Sequence, residues 1–241
     1  MTHGMEHEHT PEAIRERLTA GPRNSYLRDF VYGGIDGAVT TFAVVSGVVG
    51  AELAPAIILI LGAANLAGDG FSMAASNYSG TRTEHEEMGA LHAREERHIA
   101  GDPDGEREEV RQIFEAKGFS GSGLHSAVAT VTADRERWIR FMLSEEYGLP
   151  SQLRSPLIAA LSTFGAFVVC GLIPLLPFVL SMGTPFMTSL LTTLGVFFAI
   201  GSVKSLWTTV PWWRAGLETL SIGGVAAALA YGVGALLKHA V

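Results

Sequence analysis

Five long apolar blocks alternate with polar stretches along the chain, and each block is the length of a membrane span. About 20 apolar residues at a rise of 1.5 Å cover a hydrocarbon core of roughly 30 Å. The blocks fall at residues 30–51, 54–79, about 156–180, about 186–206 and 219–237. Only the few residues around Glu52 to Pro55 join the first two, so these must fold as an antiparallel hairpin. Pro174 and Pro177 predict a kink in the third block, because each removes a helical N–H. In the last, Gly224, Ala228 and Gly232 recur every fourth residue and form a seam suited to close helix packing.

Between the second and third blocks the pattern becomes that of charged amphipathic helices. Taken at about 100° per residue, Glu84, Glu87, Met88, Leu91, Glu95 and His98 share one side. The run Gly101, Asp102, Pro103, Asp104, Gly105 reads as a turn. A helix follows in which Glu106 and Glu109 lie on the stripe of Val110 and Ile113. After the glycines from Gly118 to Gly123, a third helix over about 126–147 spaces Trp138, Met142 and Glu146 at i, i+4, i+8, before the stop at Gly148, Leu149 and Pro150. The chain therefore reads as an all-α integral membrane protein with five transmembrane helices and a three-helix insert. Its parts are a tail (residues 1–25), spans one and two (26–79), the insert (80–153) and spans three to five (154–241).

Charge follows this division. Residues 155–203 contain no Asp, Glu, Lys or Arg, whereas residues 81–154 hold 15 of the 24 acids and 10 of the 17 Lys and Arg in a chain of formal net charge -7. The acidic insert argues for cation binding and against a nucleic-acid surface. Lys and Arg gather in the tail, the insert and the 204–214 loop, which places tail and insert in the cytoplasm and the C-terminus across the membrane. Trp207, Trp212 and Trp213 fit an interfacial belt. The tail lacks the apolar region of a secretory signal. Its His3, His7 and His9 could hold a metal, but scattered histidines at a terminus are ordinarily just solvated. The single cysteine, Cys170, lies in an uncharged span and reads as a small core residue.

Two acids sit inside the first two spans. Asp36 and Asp69 fall at similar depth in the hairpin, and an ionised group there costs a few kcal/mol, so each needs a function or a partner. Asn65, Asp69 and Met73 are spaced i, i+4, i+8 and form one stripe of amide, carboxylate and thioether. The plain alternative is an Asp hydrogen-bonded to a neighbouring helix, with Met filling a gap. In the insert, Glu, His and Met together suit Fe(II), Mn(II), Co(II) or Zn(II) better than Ca(II) or Mg(II). There the plain alternative is a surface laced by salt bridges to Arg94, Arg97, Arg107 and Arg111. Enzyme motifs are incomplete. Glu95 and His98 have the Glu-x-x-His spacing of di-iron bundles without its second copy, and His85 and Glu86 begin a zincin motif that Gly89 breaks.

The segments DGAVTTFAVVSGV with Asp36, NLAGDGFSMAASNY with Asp69 and Met73, the Glu-rich insert, FMLSEEYGL with Met142 and Glu146, and IGGVAAALAYGVG together resemble the vacuolar iron transporter family. The resemblance runs from about Tyr26 onward. It implies a homodimer of five-span chains that moves Fe(II), and in some members Mn(II), out of the cytosol in exchange for protons. It implies that Asp36 and Met73, with Asp69 in the same helix motif, lie on the membrane pathway. Glu95, Glu106, Glu109, Met142 and Glu146 would form the cytoplasmic metal site. Two positions depart from the plant members: His98 stands for a Glu, and Asn65 for an acid.

The expected function is therefore proton-coupled export or sequestration of Fe(II), with no enzymatic activity and no prosthetic group. The candidate metal ligands are Glu95, His98, Glu106, Glu109, Met142 and Glu146 in the insert, and Asp36, Asp69, Met73 and Asn65 in the membrane. Mn(II), Co(II) and Zn(II) are further candidate ions. The expected setting is a prokaryotic cell membrane, with the vacuolar membrane as the alternative. The rivals are a Mn(II) exporter and a membrane-anchored sensor or storage module, though an anchor has no use for buried acids.

Overall fold

The computed structural model describes residues 8–20, 25–150 and 152–238. Every regular element in them is helical: α1 (Pro11–Ala20), α2 (Leu27–Gly50), α3 (Pro55–Gly101), α4 (Pro103–Ala116), α5 (Gly121–Thr132), α6 (Arg135–Glu145), α7 (Pro156–Leu172), α8 (Leu176–Val179), α9 (Pro185–Lys204) and α10 (Trp212–Leu237). They form two compact units, one from the described residues of 25–81 and 155–241, the other from those of 1–24 and 82–154.

In the first unit α2, α3, the segment Pro156–Val179, α9 and α10 are each long and apolar enough to cross a membrane. Helix α2 packs against α7, α9 and α10. A Cβ on Gly33 would run into the carbonyl of Thr163, and one on Gly37 into that of Phe167, so the α2 glycines let the α7 backbone come close. Phe42, Val45, Ile58, Leu66, Phe167 and Leu175 form the buried core between them.

The proline kink takes a defined form. Helix α7 stops at Leu172, a 3-10 turn covers Ile173–Leu175, and α8 resumes at Leu176. The buried Ser189 hydroxyl donates to the Pro174 carbonyl at 2.7 Å, which satisfies a backbone group where the helix is interrupted. The α10 seam differs from the expectation. Gly224 and Gly232 have open space where a Cβ would stand, whereas Gly223 meets the Phe197 ring and Gly234 the Gly47 backbone. The side of α10 that packs within the chain is one or two residues away from the fourfold repeat.

In the second unit Ile99, Val110, Trp138, Ile139, Met142 and Leu143 form the core. Asp102 caps α4 by accepting from the Gly105 N–H at 3.0 Å, with Pro103 at the first helical position. At its other end Gly118 adopts φ +92°. The Gly118 N–H donates to Glu115 and the Phe119 N–H to Phe114, and the Phe114 and Phe119 rings meet at 5.2 Å, a Schellman end with its apolar contact. The third insert helix is in fact two, α5 and α6. Asp134 starts the second by accepting from the Arg137 N–H at 2.8 Å, a local side-chain bond that competes with helix continuation.

Candidate metal sites

Helix α3 turns its acids inward over a shorter stretch than periodicity suggests. Glu84 and Glu87 are exposed, whereas Met88 and Leu91 are half-buried. From there Glu95 (1% exposed) lies within the insert, and α4 brings Glu106 (6% exposed) up to it. One ligand atom from each of Glu95, His98 and Glu106 lies within 4.8 Å of the other two. The His98 Nδ1 is 3.4 Å from Glu106 Oε1 and 3.9 Å from Glu95 Oε1. Glu95 Oε2 and Glu106 Oε2 are buried and, among the described residues, have no hydrogen-bond partner.

The salt-bridge alternative holds only for the outer face. Arg111 pairs with Glu108 and Glu115, Arg107 with Asp104, and Arg135 with Glu96. Among the described residues the ion pairs of Glu95 and Glu106 are with His98 alone. Two buried carboxylates side by side, each with an orphan oxygen, are costly unless neutralised, and an imidazole beside them completes a donor set that suits a divalent transition metal.

Glu109 and Glu146 are exposed, yet their charges reach the cluster. Burial, then Glu109 and Glu95, push the Glu106 carboxyl up to about 7, against a smaller opposing pull from His98. Burial and the charge of Glu95 likewise raise Glu146, against the Tyr147 hydrogen bond. Met142 is wholly buried in the insert core, which gives it a packing role whatever its sulfur does. Tyr147, absent from the sequence-based set, donates its phenol to Glu95 Oε1 at 2.9 Å. Burial and that bond push its hydroxyl up to about 12, so it stays a donor.

A pH dependence follows. Metal must displace the Glu106 proton, so metal affinity should fall as pH drops through about 7. The metal-free protein should move the opposite way: the folded state holds a proton that the unfolded chain releases above its ordinary value of 4.5, so the insert gains stability as pH falls from about 7 toward 4.5. Titration calorimetry and thermal melts across pH 5 to 8 check both signs.

In the membrane unit, Asp36 and Asp69 lie close enough to interact electrostatically. Asn65 donates to the Thr40 and Thr41 hydroxyls at 3.0 and 3.3 Å, which turns its amide nitrogen onto α2. Asp69 is exposed within this chain, and Met73 is half-buried against the α2–α7 core. The structure adds a third cross-helix station that sequence reading passed over. Asp29, 3% exposed, accepts from Asn77 at 2.9 Å, and the same amide group lies 2.7 Å from the Thr163 hydroxyl and 3.2 Å from the Ala159 carbonyl. Asp29 sits two turns before Asp36 on α2, and Asn77 two turns after Asp69 on α3, which was the available signal. The pairs Asn65 with Thr40, Asp69 with Asp36 and Asn77 with Asp29 thus form one ladder between α2 and α3. His9, the described tail histidine, is exposed; His3 and His7 lie outside the described residues.

Residues 27–235 match the VIT family. The chain is similar to a vacuolar iron transporter of Toxoplasma gondii, 30% identical over 230 residues that cover 90% of this chain and 76% of that one. It is also similar to vacuolar iron transporter 2 of Oryza sativa subsp. japonica, 30% identical over 92% of this chain and 90% of the relative. Vacuolar iron transporter 1 of Arabidopsis thaliana is 29% identical over 93% and 90%.

Proposed function

The chain belongs to the VIT family of transporters, and from that premise we propose that it carries Fe(II) out of the cytosol in exchange for protons. It is a multi-pass membrane protein whose family work is metal-ion transport, not catalysis. The observation that carries the finer reading is the pair of orphaned buried carboxylate oxygens beside His98, in a chain whose spans also set Asp36 against Asp69. The insert, on the cytoplasmic side by its charge, concentrates the ion. Asp36, Asp69 and Met73, with Asn65 one turn before Asp69 on α3, then pass it through the membrane. Each membrane acid needs a proton or a cation beside it, so an arriving metal replaces protons and reprotonation from the far side releases it. Met73 supplies a soft, weak contact that favours Fe(II) over Mg(II) or Ca(II). The relatives' names favour the vacuolar membrane over a prokaryotic cell membrane.

A homodimer completes this reading, because Asp69 and much of the surrounding α3 surface are exposed in one chain. Gly33 and Gly37 face α7 of the same chain, so interchain cysteines belong instead on α3, at Gly68, where a Cβ has open space, or at the exposed Ser72. Flux of Fe(II), Mn(II), Co(II) and Zn(II) with luminal pH recorded in proteoliposomes tests the whole proposal. Fe(II) entry coupled to proton exit is expected. Preferred Mn(II) flux would select the Mn(II) exporter, and metal binding without flux the anchored sensor.

A further inference from the structure

We infer that Tyr147 is a positioning residue that sets the metal selectivity of the insert by engaging one oxygen of Glu95 and leaving the other to the ion. The inference rests on the reading of Glu95, His98 and Glu106 as a metal site. The phenol donates to Glu95 Oε1 at 2.9 Å, and it is Glu95 Oε2 that is buried without a partner. Accepting from the phenol makes Oε1, the Glu95 oxygen 3.9 Å from the His98 Nδ1, the poorer donor to a metal, so Glu95 meets the ion chiefly through the unpartnered Oε2, as a monodentate ligand. The ring packs against the insert core, and the residue directly follows α6 and Glu146, so the hydroxyl has little freedom to leave.

The chemical consequence is discrimination. Ca(II) takes six to eight oxygens and commonly uses bidentate carboxylates. Holding Glu95 to one oxygen removes a contact that a large hard cation would use, while the imidazole of His98 suits a transition metal. A neighbour that orients a ligand typically changes affinity by 10- to 100-fold.

The test uses the full chain in detergent, with Co(II) as an air-stable probe and Ca(II) as competitor. Tyr147→Phe keeps the ring in the core and removes only the donor. The variant should bind Ca(II) more tightly relative to Co(II), by on the order of tenfold. Its Co(II) d–d bands should weaken toward the six-coordinate pattern as Glu95 becomes bidentate. A folded variant with unchanged competition and unchanged bands overturns the inference while leaving the metal site standing. A visible phenolate-to-Fe(III) charge-transfer band in the wild-type protein also overturns it, since Tyr147 would then be a ligand itself. Failure of the wild-type insert to bind Co(II), with Glu106→Gln indistinguishable from it, removes the metal site beneath.

Discussion

Asp36→Asn should abolish metal flux and the proton flux coupled to it, while Co(II) binding by the insert survives. The substitution keeps size but removes the ionisable group that interacts with Asp69 across the α2–α3 hairpin. A divalent ion at membrane depth that loses a countercharge is worse off by a few kcal/mol. At 1.4 kcal/mol per factor of ten, transport should fall on the order of a hundredfold or more. Proteoliposome flux and insert binding, measured on the same preparation, separate pathway from insert. A folded Asp36→Asn protein that exchanges Fe(II) for protons at the wild-type rate would move Asp36 off the pathway and favour the anchored sensor.

Gly37→Val should clearly destabilise the fold. Its Cβ would collide with the Phe167 carbonyl and Cα, which are backbone atoms and cannot rotate aside. Helices α2 and α7 must separate, opening the core of Phe42, Val45, Leu66 and Phe167. Overpacking of this kind costs about 1–3 kcal/mol or more, and at roughly 2–4 °C per kcal/mol for a chain of this size the melting temperature should drop by about 5–10 °C. Gly224→Ala is the contrast. Its Cβ enters open space, and Ala is the better helix former by about 1 kcal/mol, so the melting temperature should hold or rise. Equal loss in both variants would mean that α10 packs through Gly224 after all.

The five spans and the hairpin were legible in the sequence because they follow from local quantities: the length of an apolar run, the shortness of the 52–55 turn and the period of a helix. The same period put Glu95 and His98 on the side of Leu91, and Glu106 beside Val110, so the insert's acid cluster could be anticipated before any contact was known. The pairing of Asp36 with Asp69 followed from the hairpin alone, since a tight turn leaves little freedom in depth. Tertiary structure decided how each helix is rotated about its axis. A span apolar on all sides carries little information about which small residues meet a neighbour. Hence Gly33 and Gly37 are taken by α7, and α10 packs through Gly223 and Gly234 instead of Gly224 and Gly232. Rotation likewise exposed Glu84 and Glu87. The Asn77 contacts to Asp29 and Thr163 span 48 and 86 residues, and the Tyr147 bond to Glu95 spans 52. Such contacts have no period, and only the docking of distant helices determines them.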